Sequence, residues 1–279
     1  MSRETLKLNA LFMDALMLDS IKNLALETAL EAGKLIRDIR QTGDFQQHYK
    51  ARKELVTSAD VAADQLIVSK IHEHFPDHRI LSEETFTDRS QIQDLQNPIW
   101  IIDPIDGTVN YAHGQLMVAV SIAFAIEGEV KVGVVHNPFL EETYVGVAGQ
   151  GSQLNGQPLS VSHRKKLERS LIATGFPYDK STVPQIMRRV EAVLMHCQDL
   201  RRLGSAAMDI CWVASGRLDG YFESLSPWDF AAARLIALEA GARCGHFSPV
   251  PDNIPPCIHD KDILISTPDI YDALDAILD

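Results

Sequence analysis

Between residues 18 and 40 apolar side chains recur at helical spacing, at Ile21, Leu24, Ala25, Ala32, Leu35 and Ile36, with the small Thr28 in the same stripe. That period predicts an amphipathic helix with one buried face. A second helix is predicted over residues 59–75. Short apolar runs follow at 78–81 and 98–102, each predicted to be a strand. Both deliver acids at their C-terminal ends, Ser82-Glu83-Glu84 after the first and Asp103 after the second. Segments 118–126, 130–136 and 142–147 are rich in β-branched residues and separated by Glu-Gly and by Asn-Pro, which predicts an antiparallel meander. The Gly-rich run 146–156 closes a hairpin. Beyond residues 160–163 strands and helices alternate, with helices predicted at 184–197, 206–215 and 230–241 and strands near 218–222 and 263–266. A last helix is predicted at 270–278. The class is mixed α+β and α/β, with an antiparallel first part over 17–160 and an α/β second part over 161–279.

Composition narrows the classes. At 279 residues and 46% hydrophobic, the chain is long enough to bury a sizeable core without disulfides. Cys197, Cys211, Cys244 and Cys257 are scattered with no C-x-x-C pair, which fits small core residues in a reducing cytoplasm. No stretch approaches the roughly 20 apolar residues that span a bilayer. The opening residues mix acids into their apolar run, so neither signal peptide nor anchor is expected. Met17 begins a cleaner amphipathic pattern than Met1, and residues 1–16 are read as an N-terminal extension. The net charge of -12 argues against sequence-independent binding to nucleic acid or anionic lipid. An acidic protein with an anionic substrate needs local positive charge, and bound divalent cations supply it directly.

The densest chemistry lies in Trp100-Ile101-Ile102-Asp103-Pro104-Ile105-Asp106-Gly107-Thr108, an apolar strand that stops at two acids, a turn and a hydroxyl. Asp103 and Asp106 stand three apart across a proline-containing turn, so both carboxylates can face one point, with the Ile105 carbonyl as a third oxygen donor. Hard cations such as Mg²⁺ favour that oxygen set. A helix starting just after Gly107 would aim its unpaired N–H groups at the same place and hold phosphate oxygens. Read as structure alone, the same string is an acidic turn in which Asp106 or Thr108 caps a helix. Other acids in matching contexts favour a site: Asp60 opens a helix after Leu55-Val56-Thr57, Glu83 ends a strand, and Asp229 follows Trp228 at the start of an Ala-rich helix. If these converge, carboxylates ~5 Å apart repel by about 3 kcal/mol at an effective dielectric near 20, and cations must offset that.

W-I-I-D-P-I-D-G-T-x-N, followed far downstream by P-W-D-F-A-A-A, resembles the inositol monophosphatase family. The likeness extends over nearly the whole chain beyond Met17, taking in Val118-Ala119-Val120-Ser121, Asn155-Gly156, Gly204-Ser205-Ala206-Ala207 and Glu239-Ala240-Gly241. It implies a layered αβαβα sandwich of the sugar-phosphatase type, a homodimer, and a lithium-sensitive, Mg²⁺-dependent phosphatase acting in the cytoplasm on a small phosphorylated polyol or sugar. By the same resemblance Glu83, Asp103 and the Ile105 carbonyl hold a first Mg²⁺, Asp103, Asp106 and Asp229 hold a second, and a weaker third ion lies near Glu83. Thr108 and Glu83 orient the attacking water, and Asp60 supports Thr108 from behind. The amides of Gly107 and Thr108 bind phosphate, while Gly204, Ser205, Ala206 and Glu223 line the pocket for the alcohol, next to Asp106 and Asp229.

Two departures from the family pattern stand out. The link Ser224-Leu225-Ser226-Pro227 is one residue shorter than usual and reshapes the wall that reads substrate hydroxyls. Lys53 and Glu54 stand where the family carries Asp, with Lys50 as the candidate loop lysine. The D-x-D-G-T phosphatases with an aspartyl nucleophile are a poor match, because Asp103 and Asp106 are separated by two residues and lie far from the chain start. Inositol monophosphate leads the substrate expectation, with fructose 1,6-bisphosphate, NADP, nucleotide 3'-phosphates and histidinol phosphate as competitors. A role of another class is a contact with RNA polymerase and ribosomal RNA transcription, known in one bacterial branch. The paired arginines Arg188-Arg189 and Arg201-Arg202 offer little for it, being more simply solvated helix ends and surface ion pairs.

Overall fold

The structure is a computed structural model that describes residues 3–43, 45–50, 54–85, 95–176 and 179–278, with the side chains of 3–15, 49–50 and 54 outside the description. The chain runs α1 (Arg3–Thr42), β1 (Gln47–Lys50), β2 (Glu54–Thr57), α2 (Ser58–His74), β3 (Arg79–Ser82), β4 (Ile99–Asp106) and α3 (Thr108–His113). It continues through β5 (Ala119–Ile126), β6 (Glu129–Asn137), β7 (Glu142–Val147), β8 (Gly151–Leu154) and β9 (Gln157–Pro158). The rest is β10 (Leu171–Thr174), α4 (Val183–His196), β11 (Asp199–Arg201), α5 (Ala206–Ala214), β12 (Gly220–Glu223), α6 (Pro227–Glu239), β13 (Arg243–His246), β14 (Ile263–Ser266) and α7 (Tyr271–Leu278).

β3 to β9 form one seven-stranded sheet in chain order, parallel only between β3 and β4. A five-stranded sheet has the order β11-β10-β12-β14-β13, with β10 parallel to both its neighbours and β14 antiparallel to both of its own. Side-chain alternation sorts the strands between layers. On β4, Trp100 and Ile102 join Ile21, Ala32 and Ile67 from α1 and α2, whereas Ile99 and Ile101 join Ile210 of α5 and Phe230 of α6. The five-stranded sheet does the same. Tyr221 and Ile265 face α5 and α6, while Phe222 and Leu264 face Val193 of α4 and Leu274 of α7. The layers are therefore α1/α2, sheet, α5/α6, sheet, α4/α7, the αβαβα sandwich. A strand covered on both faces needs an unbroken apolar run, and every residue of β4 is buried.

α6 sits close against the larger sheet because glycines leave room for it. A Cβ at Gly133 of β6 would lie 2.5 Å from the Ala232 carbonyl oxygen, and one at Gly146 of β7 3.0 Å from the Ile236 Cα. Glycine inside a strand marks such close approach, and the Ala231-Ala232-Ala233 run presents matching small side chains.

Three differences from the sequence reading have physical causes. α1 begins at Arg3, well before residue 18, because the upstream residues have good helix propensity without an obvious apolar stripe. β1, β2, β8, β9, β10, β11 and β13 were not predicted as strands; all are two to four residues long, too short to display a period. β4 runs on through Pro104 to Asp106. Among the described residues, no helix is long and apolar enough to cross a membrane.

Candidate active site

The parallel register of β3 and β4 pairs Ser82 with Ile102, and the Glu83 amide donates to the Ile102 carbonyl at 3.2 Å. Glu83 is thereby held level with Asp103. In a regular strand Asp103 and Asp106 would point to opposite faces. The ladder to β5 instead slips between Asp103, which pairs with Ser121, and Asp106, which pairs with Ala119. This bulge reverses the parity: Ile105 joins the α1/α2 core alongside Ile102, and both acids turn to one cavity. Pro104, lacking an N–H, is tolerated there because the ladder is already interrupted.

Gly107 follows with φ 94° and caps α3, whose first residue is Thr108. A side chain at Gly107 would meet the Met117 carbonyl oxygen at 2.8 Å. The Thr108 hydroxyl lies 3.1 Å from Asp60 Oδ1 and 3.0 Å from the Ile105 carbonyl, so its one proton is shared between two acceptors. The Ile105 carbonyl, expected to be unengaged, thus accepts from Thr108 and keeps its second lone pair. Asp60 Oδ2 also accepts from the Thr57 amide at 2.8 Å and the Thr57 hydroxyl at 2.6 Å, closing a capping box at the start of α2. Behind Glu83, the Ser82 hydroxyl donates to Asp64 of α2.

Asp106 does two jobs. Its Oδ2 accepts from the Ser205 hydroxyl at 2.6 Å and the Ala207 amide at 2.7 Å, and its Oδ1 from the Ala206 amide at 3.3 Å. It therefore caps α5 from the other sheet. Asn110 reinforces that seam by donating to the Met117 and Leu203 carbonyls, both at 2.8 Å. Asp229 completes the set from the first turn of α6, where the Ser226 amide donates to it at 2.9 Å. The Ser121 hydroxyl, donating to the Trp228 carbonyl at 3.1 Å, ties that turn to β5.

One carboxylate oxygen each from Asp103, Asp106 and Asp229 lies within 4.8 Å of the others. They line a cavity of about 320 Å³ with Glu83, Ile105, Gly107 and Thr108 on one side and Gly204, Ser205, Ala206 and Glu223 on the other. Burial pushes Asp103 and Asp229 well above the usual carboxylate range, and the neighbouring acids push further. Burial also raises Asp106, against the pull of its Ser205 and backbone hydrogen bonds. Asp60 rises to about 6 and Glu223 to about 7, in both cases chiefly by desolvation. Among the described residues, Arg202 is the one cationic side chain lining this cavity. An all-oxygen donor set with so little protein countercharge fits hard divalent cations.

Every site residue named from sequence lines this cavity except Asp60, which reaches it through Thr108. The side chains of Lys50 and Glu54 and the whole of Lys53 lie outside the described residues. His113 is exposed and away from the cavity lining. Sequence reasoning missed Asp64, Asn110, Arg202 and Asp209. Asn110 sits inside the quoted G-T-x-N string, and that string was the available signal for it. Arg202, expected from the sequence at the surface, instead lines the cavity and lies over the Phe176 ring at 5.7 Å.

The sequence model of the inositol monophosphatase family matches residues 17–277. The chain is 40% identical over 229 residues to the Nus factor SuhB of Escherichia coli strain K12, covering 81% of this chain and 85% of that one. It is 38% identical over 228 residues to inositol monophosphatase 1 of Solanum lycopersicum, covering 80% and 83%. Among solved structures, the extragenic suppressor protein suhB from Bartonella henselae superposes with a TM-score of 0.83 at 31% identity, over 93% of this chain and 98% of that one. Inositol monophosphatase from Anabaena (Nostoc) superposes with a TM-score of 0.78 at 35% identity, over 94% and 95%. Layer order, acid geometry and sequence lead to one assignment: the chain belongs to the inositol monophosphatase family.

Proposed function

We propose that this chain is a magnesium-dependent phosphomonoesterase whose leading substrate is a myo-inositol monophosphate. The observation that carries the reading is the convergence of Asp103, Asp106 and Asp229 within 4.8 Å, in a cavity that also opens onto Glu83 and the start of α3. Family membership supports the phosphatase chemistry. Bound at these acids, Mg²⁺ would supply positive charge to the phosphate and Lewis acidity toward the attacking water and the leaving oxygen. Glu83, Asp103 and the Ile105 carbonyl are the proposed donors for one ion and Asp103, Asp106 and Asp229 for a second, with a third near Glu83.

The remaining residues have positional roles in this reading. Asp60 draws the Thr108 proton toward itself and leaves a hydroxyl lone pair facing the cavity, where it orients a water together with Glu83. The Gly107 and Thr108 amides bind phosphate oxygens. Gly204, Ser205, Ala206 and Glu223 contact the alcohol. Asp103 would serve both cation positions, and the chemistry the cations would supply there, activation of a water and neutralisation of the leaving oxygen in an in-line displacement, needs no covalent phosphoenzyme. The division into parts at residue 160 puts Asp229 and the alcohol wall on the second part and the other ligands on the first.

Phosphate release from a panel of inositol monophosphate, fructose 1,6-bisphosphate, NADP, a nucleotide 3'-phosphate and histidinol phosphate, with and without Mg²⁺ and Li⁺, tests the proposal. Mg²⁺-dependent turnover of inositol monophosphate, lost in Asp103→Asn, is the expected result. Preference for another panel member replaces the substrate and keeps the site. Absence of turnover throughout overturns the enzyme reading.

A second reading, as a partner in transcription, draws on the name Nus factor carried by relatives. One local observation favours it: His163, Arg164, Lys165, Lys166 and Arg169 line a separate cavity of about 440 Å³ in an otherwise acidic chain. The paired arginines weigh less, since Arg189 pairs with Asp262 at 3.0 Å and Arg201 with Asp199 at 2.6 Å. Binding of the Lys165→Glu/Lys166→Glu variant to RNA polymerase at physiological salt, compared with the unaltered chain, decides it.

A further inference from the structure

We propose that Asp209 is a specificity-determining residue that accepts a hydrogen bond from a free hydroxyl on the alcohol part of the substrate. The proposal rests on the phosphomonoesterase reading above and extends it to a residue outside the cation-binding acids. Asp209 is the fourth residue of α5, is 1% exposed, and lines the active-site cavity beside Tyr221 and Glu223. Its Oδ1 is buried without a hydrogen-bond partner among the described residues.

Other acids of the cavity differ in this respect. Asp103 accepts from the Ile105 amide at 3.0 Å, Asp106 from Ser205, Ala206 and Ala207, Asp229 from Ser226, and Glu223 from the Tyr221 hydroxyl. Tyr221 is thereby committed and is not a donor for Asp209. Burial raises Asp209 well above the usual carboxylate range, the neighbouring Asp106 and Glu223 raise it further, and Arg202 draws it down; among the described residues Arg202 and Asp209 form no ion pair. A role at the helix terminus does not account for Asp209 either. The amides of Ala206 and Ala207 are satisfied by Asp106 and that of Met208 by Ser205, so the start of α5 is capped without it.

A carboxylate left unpaired in the interior is costly to keep, and such a group is explained when a ligand supplies the missing donor. Among the described residues no donor reaches this oxygen, so the donor is assigned to the substrate side. A hydroxyl, at once donor and acceptor, suits two neighbouring acids, Asp209 and Glu223. The residue therefore selects monoesters of polyhydroxy alcohols over esters whose alcohol carries no donor.

The test compares Asp209→Leu and Asp209→Asn with the unaltered enzyme on myo-inositol 1-phosphate and on 4-nitrophenyl phosphate, whose alcohol has no free hydroxyl. For Asp209→Leu the ratio of kcat/KM for the inositol ester over the nitrophenyl ester is expected to fall about tenfold or more, chiefly through KM of the inositol ester. Asp209→Asn keeps an acceptor oxygen and is expected to recover part of that ratio. The thermal midpoint of Asp209→Leu without substrate is expected to stay level or rise, because a near-isosteric apolar group replaces an unpaired acid. An unchanged ratio, or a lowered midpoint with equal losses on both substrates, overturns the proposal and assigns Asp209 a structural role. Failure of the unaltered enzyme to hydrolyse either ester with Mg²⁺ overturns the underlying reading, a result visible before any variant is made.

Discussion

Asp60 holds three donors at once, the amide and hydroxyl of Thr57 and the hydroxyl of Thr108, and its burial lifts its pKa from 3.8 to about 6. A raised folded-state pKa means that the folded chain binds more protons than the unfolded chain between roughly pH 4 and pH 6, so this group's contribution falls as pH rises through that window. Above it the ionised group costs roughly 3 kcal/mol. His136 pulls the other way, since burial lowers it to about 4 and its contribution is lost as pH falls. The difference between Asp60→Asn and the unaltered chain cancels the His136 part. In chelator, that difference is expected to shift in favour of Asp60→Asn by roughly 3 kcal/mol between pH 4 and pH 7 in urea unfolding. Thr108→Val, which leaves no hydroxyl to orient, is expected to lower kcat about 10²-fold with KM little changed in steady-state assays. At this scale the sequence was informative where chemistry is dense. Asp103, Asp106 and Thr108 lie within six residues and announce themselves, and Glu83 and Asp229 sit at visible strand and helix ends. Asp209 and Arg202 carry no such context, because their meaning arises only when β12 and β4 bring Glu223 and Asp106 toward them.

Elements acquire their accuracy here from small residues and one irregularity. The bulge in β4 turns Asp106 toward Asp103, and Gly133 and Gly146 let α6 lie against β6 and β7 with Asp229 at its leading end. Gly133→Ala would place a methyl 2.5 Å from the Ala232 carbonyl oxygen. Repacking of this kind costs typically 1–3 kcal/mol. The expected outcome is a destabilisation of about that size together with weaker Mg²⁺ binding, read by denaturant unfolding and by titration of the thermal midpoint with Mg²⁺. Long strands and the first helix were legible because β5, β6 and β7 repeat β-branched residues and α1 carries apolar residues at helical spacing from Ile21 to Ile36. β10 and β11 were not, because a strand of three or four residues is too short to show a period and owes its existence to the neighbour it pairs with. The bulge itself was visible only as a proline between two acids.

At the scale of the whole molecule, the acids at the centre oppose the core around them. Apolar layers on both faces of both sheets hold carboxylates together that repel one another without cations, so the chain is stabilised by whatever neutralises them. Mg²⁺ at about 100 times its dissociation constant is expected to add about 2.7 kcal/mol by mass action, seen as a higher thermal midpoint. Asp103→Asn is expected to raise the midpoint in chelator, since it relieves a buried repulsion, and to lose most of the response to Mg²⁺. The layered class was legible from the switch between meander and alternating pattern, whereas the sheet order of the second part, with its β14 antiparallel between β12 and β13, was not. Capping of α5 by Asp106 and the arrival of Asp229 from far along the chain both join segments widely separated in sequence. Contacts of that kind are expected to form late in folding, because loop-closure entropy must be overcome before they are made. The ion should therefore act as a kinetic lock. In stopped-flow chevrons Mg²⁺ is expected to slow the unfolding limb while leaving the refolding rate nearly unchanged, making the loaded protein long-lived without making it quick to form.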